Sequence, residues 1–114
     1  MHELSIALSL IDLATEESER LHGRVTALHL KVGAMSGVVP EALESSYGLA
    51  TENTPLAGSR LVIEAVPVIA FCARCDAERP LNTEQWFVCG ECGSPTPDIR
   101  QGREMQLVAL EIEQ

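Results

Sequence analysis

Two short cysteine pairs constrain this chain more than any other feature. Cys72-Ala73-Arg74-Cys75 and Cys89-Gly90-Glu91-Cys92 are separated by thirteen residues. Each CxxC spacing lets two sulfurs turn toward one point, and the intervening segment folds back as a hairpin that brings the second pair to the first. Four thiolates then complete a tetrahedral shell at about 2.3 Å around a single ion. No histidine lies between residues 70 and 103, so a mixed Cys/His shell from this segment alone is excluded. Catalytic zinc keeps an open position and four cysteines close it, so the site reads as structural zinc. A rubredoxin-like iron uses the same paired knuckles and is the alternative metal. A dithiol redox role for either pair is the weaker reading, because two such pairs are more simply one site.

Paired cysteines bind metal rather than each other in a reducing compartment. The chain starts Met1-His2-Glu3, with no basic stretch ahead of an apolar run, which does not read as a secretory signal. No segment approaches the roughly 18–20 apolar residues of a membrane span. The expected location is therefore the cytoplasm, with no membrane partner. Formal charge argues the same way about partners. The 114 residues carry 17 acids against 8 bases, a net charge of −9, which disfavours binding to a phosphate backbone. Zinc ribbons often serve nucleic-acid proteins, but here Arg74, Arg79, Arg100 and Arg103 face five acids within the same segment, and four thiolates around Zn²⁺ add about −2.

The cysteine segment breaks from its flanks. Residues 70–103 hold all four cysteines and three of the six prolines, and carry a charge near neutral, whereas residues 1–69 and 104–114 are clearly acidic. It reads as a module of residues 70–103 inserted into a domain made of 1–69 plus 104–114. With few apolar side chains, the module draws much of its folding energy from metal.

The flanking domain reads as α+β. Leu4, Ala7, Leu8, Ile11 and Ala14 recur at helical spacing, with Ile6, Leu10 and Leu13 widening the stripe, and Gly23 is the expected stop. Arg24 to Val32 alternates, with Thr26, Leu28, Leu30 and Val32 on one face and Val25, Ala27, His29 and Lys31 on the other, as in a strand with one face on a core. Pro40 suits the first turn of a second helix, whose apolar face is Leu43, Tyr47 and Ala50. Leu61–Ile69 reads as a strand with Pro67 at an edge or bulge, and Met105–Ile112 as a third strand. Antiparallel pairing of these last two would make the module a hairpin extension. The architecture expected is two helices packed on a three-stranded sheet, with an inserted zinc-ribbon module.

His2 is the remaining feature with chemistry. A large side chain at position 2 is expected to protect Met1 from removal, leaving a free α-amine. That amine, the His2 amide nitrogen and the His2 imidazole can chelate one metal in adjacent rings, with the Glu3 amide or carboxylate as a further donor. Nitrogen-rich planar coordination suits Ni(II) or Cu(II). Taken alone, a histidine at position 2 is more often simply exposed. His2-Glu3 also begins an HExxH pattern, but Ile6 stands where its second histidine is required. His22 and His29 read as solvated or structural.

Taken together, Met1-His2-Glu3-Leu4-Ser5, the Val32-Gly33-Ala34-Met35-Ser36-Gly37 turn, Pro40-Glu41-Ala42-Leu43, the paired CxxC and Gly102-Arg103-Glu104 resemble the HypA/HybF family along the whole chain. That is a family of zinc-containing nickel metallochaperones of hydrogenase maturation, not of enzymes. The resemblance implies His2 as nickel ligand, Met1 and Glu3 as contributors, and Cys72, Cys75, Cys89 and Cys92 as zinc ligands. It further implies Ni(II) as a transient cargo, the GTPase HypB and a [NiFe]-hydrogenase large subunit as partners, and a monomer or weak homodimer. Some family members serve urease. Two departures stand out. No histidine flanks the knuckles here, and Ser45-Ser46-Tyr47-Gly48 is less aromatic than usual, so looser packing of the second helix is expected. The rival readings are a rubredoxin-like electron carrier and a zinc-ribbon adaptor for nucleic acid or protein.

Overall fold

The computed structural model describes residues 3–81 and 87–114. Its elements run α1 (Glu3–Leu21), β1 (Arg24–Gly33), α2 (Pro40–Ala50), β2 (Arg60–Val66), β3 (Ile69–Cys72), β4 (Ala77–Pro80), β5 (Asp98–Gln101) and β6 (Met105–Glu113). They form two three-stranded sheets, ordered β2-β1-β6 and β4-β3-β5. The chain divides into two compact units: Met1–Lys31 with Gly37–Glu64 and Gln106–Gln114, and Val32–Ser36 with Ala65–Met105.

The first unit is two helices against a sheet. In α1 the buried residues are Ile6, Ala7, Leu10, Ile11 and Ala14, one stripe at helical spacing. Leu4, Leu8 and Leu13 are about half exposed, so the buried stripe is narrower than the apolar periodicity predicts. The helix ends at Leu21, just ahead of the expected stop at Gly23. His22, not Gly23, adopts the left-handed conformation (φ 53°), and the Gly23 N–H donates back to Ser18 O at 3.1 Å. Helix α2 starts on Pro40 after an extended Val39, and its buried residues are Leu43 and Tyr47. Tyr47 is almost fully enclosed and its hydroxyl meets Ser59 Oγ at 2.6 Å. Burial pushes the Tyr47 phenol up from its usual range, while the Ser59 contact pulls it back in part. Helix α2 is thus anchored by Tyr47 rather than loosened by the serines around it.

Strand β1 is central. Its burial phase slips at Ala27/Leu28: Val25 and Ala27 are buried, then Leu28, Leu30 and Val32. Thr26 therefore does not share the buried set with Leu28, and its hydroxyl donates to Glu111 O at 3.2 Å. Strands β1 and β6 are antiparallel neighbours, since Gly33 N donates to Glu104 O where β1 ends and β6 begins. Strands β1 and β2 run in the same direction, with Ala34 N, just past the end of β1, donating to O of Val66, the last residue of β2, which makes α2 a crossover helix. The direct pairing of Leu61–Ile69 with Met105–Ile112 is therefore not formed, because β1 lies between them. Nor is Leu61–Ile69 one strand. It stops at Val66 and resumes at Ile69 in the other sheet, with Pro67, which has no N–H to donate, in the gap.

In the second unit β3 is central, antiparallel to both β4 and β5. Gly33 and Gly102 cross there so closely that a Cβ on Gly33 would lie 2.2 Å from Gly102 O. Gly102 has φ +121°, open only to glycine without strain, and the Met35 N–H donates to its carbonyl at 2.7 Å. The Val-Gly and Gly-Arg-Glu segments of the sequence meet at this crossing.

Candidate metal centre

The four cysteines converge. Cys72 ends β3 and faces Ala77 across the β3–β4 ladder. The chain reverses after Cys75 through Asp76, whose φ is 53°, and after Cys92 through Gly93, whose φ is 75°. The two knuckles are therefore built alike, each followed by one left-handed residue. In each, a backbone N–H points at the first sulfur: Cys75 N to Cys72 Sγ and Glu91 N to Cys89 Sγ, both at 3.4 Å. The second knuckle is closed by Cys89 N to Ser94 O and Gly93 N to Cys89 O, both at 2.8 Å, and by the Val88–Pro95 bridge.

All four sulfurs lie within 4.8 Å of one another, with Cys72–Cys92 at 3.5 Å and Cys75–Cys89 at 3.9 Å. None is in a disulfide. A tetrahedron with metal–sulfur bonds of about 2.3 Å has edges of about 3.8 Å, so the residues fit one four-coordinate ion. Cys72 and Cys89 are buried, while Cys75 and Cys92 are half-buried. Such a shell leaves no open coordination position.

The sulfurs are not equivalent in the metal-free protein. The Ser94 hydroxyl, then its backbone N–H, pull the Cys92 thiol down to about 6. Cys89 is lowered by the backbone N–H groups of Cys92 and Glu91. At Cys75 the Arg79 guanidinium pulls downward, but the Cys92 and Cys72 sulfurs and burial outweigh it and push the thiol up to about 11. Arg79 and Ser94 are partners that CxxC spacing does not reveal. They stand four residues past Cys75 and two past Cys92, and their approach depends on the turn and strand register.

Of the N-terminal residues, Glu3 opens α1, and its carboxylate accepts the Val39 N–H at 3.3 Å, joining the start of α1 to the start of α2. Met1 and His2 lie outside the described residues. His29 is not simply solvated. Its Nε2 lies 2.6 Å from Glu111 Oε2, and Arg60 Nη2 stands 3.6 Å from the same oxygen. His22 forms the turn after α1. Among the described residues no other cluster of histidine, cysteine and carboxylates can hold a metal, and no helix is long and apolar enough to cross a membrane.

Fold and site together define a small α+β protein carrying a four-cysteine, ribbon-like metal centre. The family model described as "Hydrogenase/urease nickel incorporation, metallochaperone, hypA" matches residues 1–112. The hydrogenase maturation factor HypA of Chloroflexus aurantiacus is 47% identical over 112 residues, covering 97% of this chain and 98% of that one. That of Deinococcus radiodurans is also 47% identical, over 111 residues, covering 94% and 89%. The solution structure of the Ni metallochaperone HypA from Helicobacter pylori superposes with a TM-score of 0.64 at 27% identity, covering 98% of this chain and 97% of that one. A second solution structure of a HypA protein gives a TM-score of 0.72 at the same identity, covering 99% and 97%. The chain belongs to the HypA family of hydrogenase maturation factors and nickel metallochaperones.

Proposed function

We propose that this protein carries Ni(II) to a [NiFe]-hydrogenase precursor and hands it over by ligand exchange. The observation that carries the reading is the match of a nickel-incorporation family across residues 1–112, His2 included. In this reading nickel is cargo. The Met1 α-amine, the His2 amide and imidazole, and Glu3 through its amide or carboxylate supply the donors. Such a site is open and exchangeable, unlike the four-cysteine shell, which holds a resident structural zinc. Copper binds nitrogen donors more tightly than nickel, so selectivity comes from geometry, metal supply and docking rather than affinity. The GTPase HypB and the hydrogenase large subunit are the proposed partners, and the cytoplasm the proposed location.

The test compares nickel binding by the native N-terminus, by His2→Ala and by a version with residues added ahead of Met1. Nickel binding is expected to fall sharply in both altered forms, with zinc content unchanged in all three. Equal nickel binding by the three forms would sink the reading.

A further inference from the structure

The second unit holds a cavity that neither metal reading uses. It measures about 290 Å³ and is lined by Met35, Phe87, Pro95, Pro97, Ile99 and Arg103. Met35 follows β1 and Arg103 follows β5. The close crossing of Gly33 and Gly102 brings these two stretches together, and the Met35 N–H donates to Gly102 O at 2.7 Å. Phe87 is held against its backbone preference. Its φ of 57° is a left-handed conformation that strains a bulky residue. The hydroxyl and the N–H of the enclosed Thr96 both donate to the Phe87 carbonyl, at 2.6 and 2.8 Å, and fix it there. Strained residues kept in place by their surroundings gather at functional sites and ligand clamps.

Charge makes the cavity selective. Arg103 is exposed, and the ion pairs of the described residues use Arg20, His29, Arg60 and Arg100 instead. The neighbouring carboxylate is engaged elsewhere, since Glu104 Oε1 accepts the Gly102 N–H at 2.7 Å. Among the described residues, Arg103 thus keeps a cation without an ion-pair partner beside an apolar cavity, in a chain of net charge −9. We propose that this cavity is a docking site for a partner protein: it takes one bulky apolar side chain, and Arg103 pairs with a carboxylate next to that side chain in the partner. Its size lies at the small end of cavities that enclose an organic ligand, about 300–1,000 Å³. Affinity separates a partner from a free metabolite. One buried side chain and one exposed ion pair give a small free acid about millimolar affinity at best. The same contacts suit an anchor within a wider protein interface, where one filled pocket carries much of the binding. Met35 can adapt to the shape of the entering side chain. The inference is independent of nickel at the N-terminus.

The experiment uses full-length zinc-loaded protein with carbon-13 in its methionine methyl groups. The chain has three methionines, so Met1 and Met105 serve as internal controls for the Met35 signal. The probes are acetyl-Gly-Phe-Glu-Gly-amide, its reversed order acetyl-Gly-Glu-Phe-Gly-amide, the glutamine analogue of each, and 3-phenylpropionate. At least one glutamate peptide is expected to shift the Met35 methyl at millimolar concentration, with its glutamine analogue binding about threefold more weakly. Arg103→Ala should make the two bind equally. Phe87→Gly should weaken both about tenfold through the lost apolar contact. It should leave zinc content and melting temperature near wild type, because glycine takes the left-handed backbone without strain. A lowered melting temperature with peptide binding retained would assign Phe87 to structure alone and overturn the proposal. If Phe87→Gly does not hold zinc, Arg103→Ala, at an exposed position, decides. The proposal is also overturned if neither glutamate peptide shifts Met35, if wild type binds glutamate and glutamine peptides equally, or if 3-phenylpropionate binds more tightly than the peptides.

Discussion

The two units solve the same problem with different chemistry. The first buries Ile6, Leu10, Ile11, Val25, Leu28, Leu30, Leu43, Tyr47 and Leu56, a set dominated by large aliphatic side chains. The second buries Val32, Val66, Val68, Ala70, Cys72, Cys89 and Thr96, with no leucine, isoleucine or aromatic ring fully enclosed among its described residues. Burial of a large aliphatic side chain is worth roughly 1.5–3 kcal/mol, so the first unit can stand on apolar packing and the second cannot. Small units of this kind take a metal in place of a core. The difference teaches where each unit is vulnerable: one to the loss of methylene groups, the other to the loss of a sulfur.

The largest effect tests that division directly. Removing the metal with a strong chelator, or introducing Cys72→Ser, is expected to unfold the β3–β4–β5 sheet outright, since structural zinc contributes on the order of 10 kcal/mol to units this small. Amide hydrogen exchange reads the outcome. Protection of Ala70 and Phe71 should vanish while Ile11 and Leu28 stay protected. Joint loss of protection in both units would break the comparison.

A smaller effect is expected from Leu28→Ala. Leu28 is fully buried in β1, and deleting its side chain should cost about 2–5 kcal/mol. Denaturant unfolding followed by helix signal measures the cost, and zinc stoichiometry should be unchanged. Zinc loss on this substitution would show that the aliphatic core also supports the ribbon.

How much of this was legible in the sequence depends on the range over which each feature is determined. The knuckles were, because CxxC spacing fixes geometry within four residues, and the four sulfurs do converge. So were the helix bounds, set by local periodicity and by Pro40. The pairing order was not. Alternation in Arg24–Gly33 marks a strand without saying that it lies between Arg60–Val66 and Met105–Glu113. Leu4 and Leu8 fit the apolar period, yet only the placement of a partner helix decides which flank of the stripe is covered. Arg79 read as one charge among four, and its contact with the sulfurs follows from β3–β4 register, which composition cannot supply. The reading of His2 and Met1 falls on residues outside those described, so it rests on the chemistry of the donors and on the family match.

Within the second unit, the hydrogen bonds around Thr96 should matter less than the metal. Thr96 is fully enclosed, its hydroxyl donates to Phe87 O at 2.6 Å, and its N–H donates to the same carbonyl at 2.8 Å. In Thr96→Val the carbonyl keeps its backbone donor, so the expected cost is about 1 kcal/mol in the zinc-loaded protein. Thermal melts with and without zinc check this. A loss as large as that from Cys72→Ser would mean that polar packing, not metal, holds the ribbon.

The smallest effect belongs to the exposed ion pairs of the first unit, and pH separates it from everything above. The His29 contact, chiefly through its hydrogen bond, and more weakly the charge of Arg60, hold the Glu111 carboxyl below its usual range. A carboxyl lowered in the folded state adds stability above its unfolded value of about 4.3, and that stability is lost as pH falls through the lower folded value. Glu111 is half exposed, so solvent screens the pair and the gain is slight. Stability curves of wild type and Glu111→Gln should therefore coincide at the acid end and part only a little above about pH 5. Acid acts on the metal unit through different groups, because protons compete with zinc for the thiolates. Zinc release on acidification should accordingly follow the same course in wild type and Glu111→Gln. A shift of the zinc-release curve by this distant carboxylate would show that the two units titrate as one.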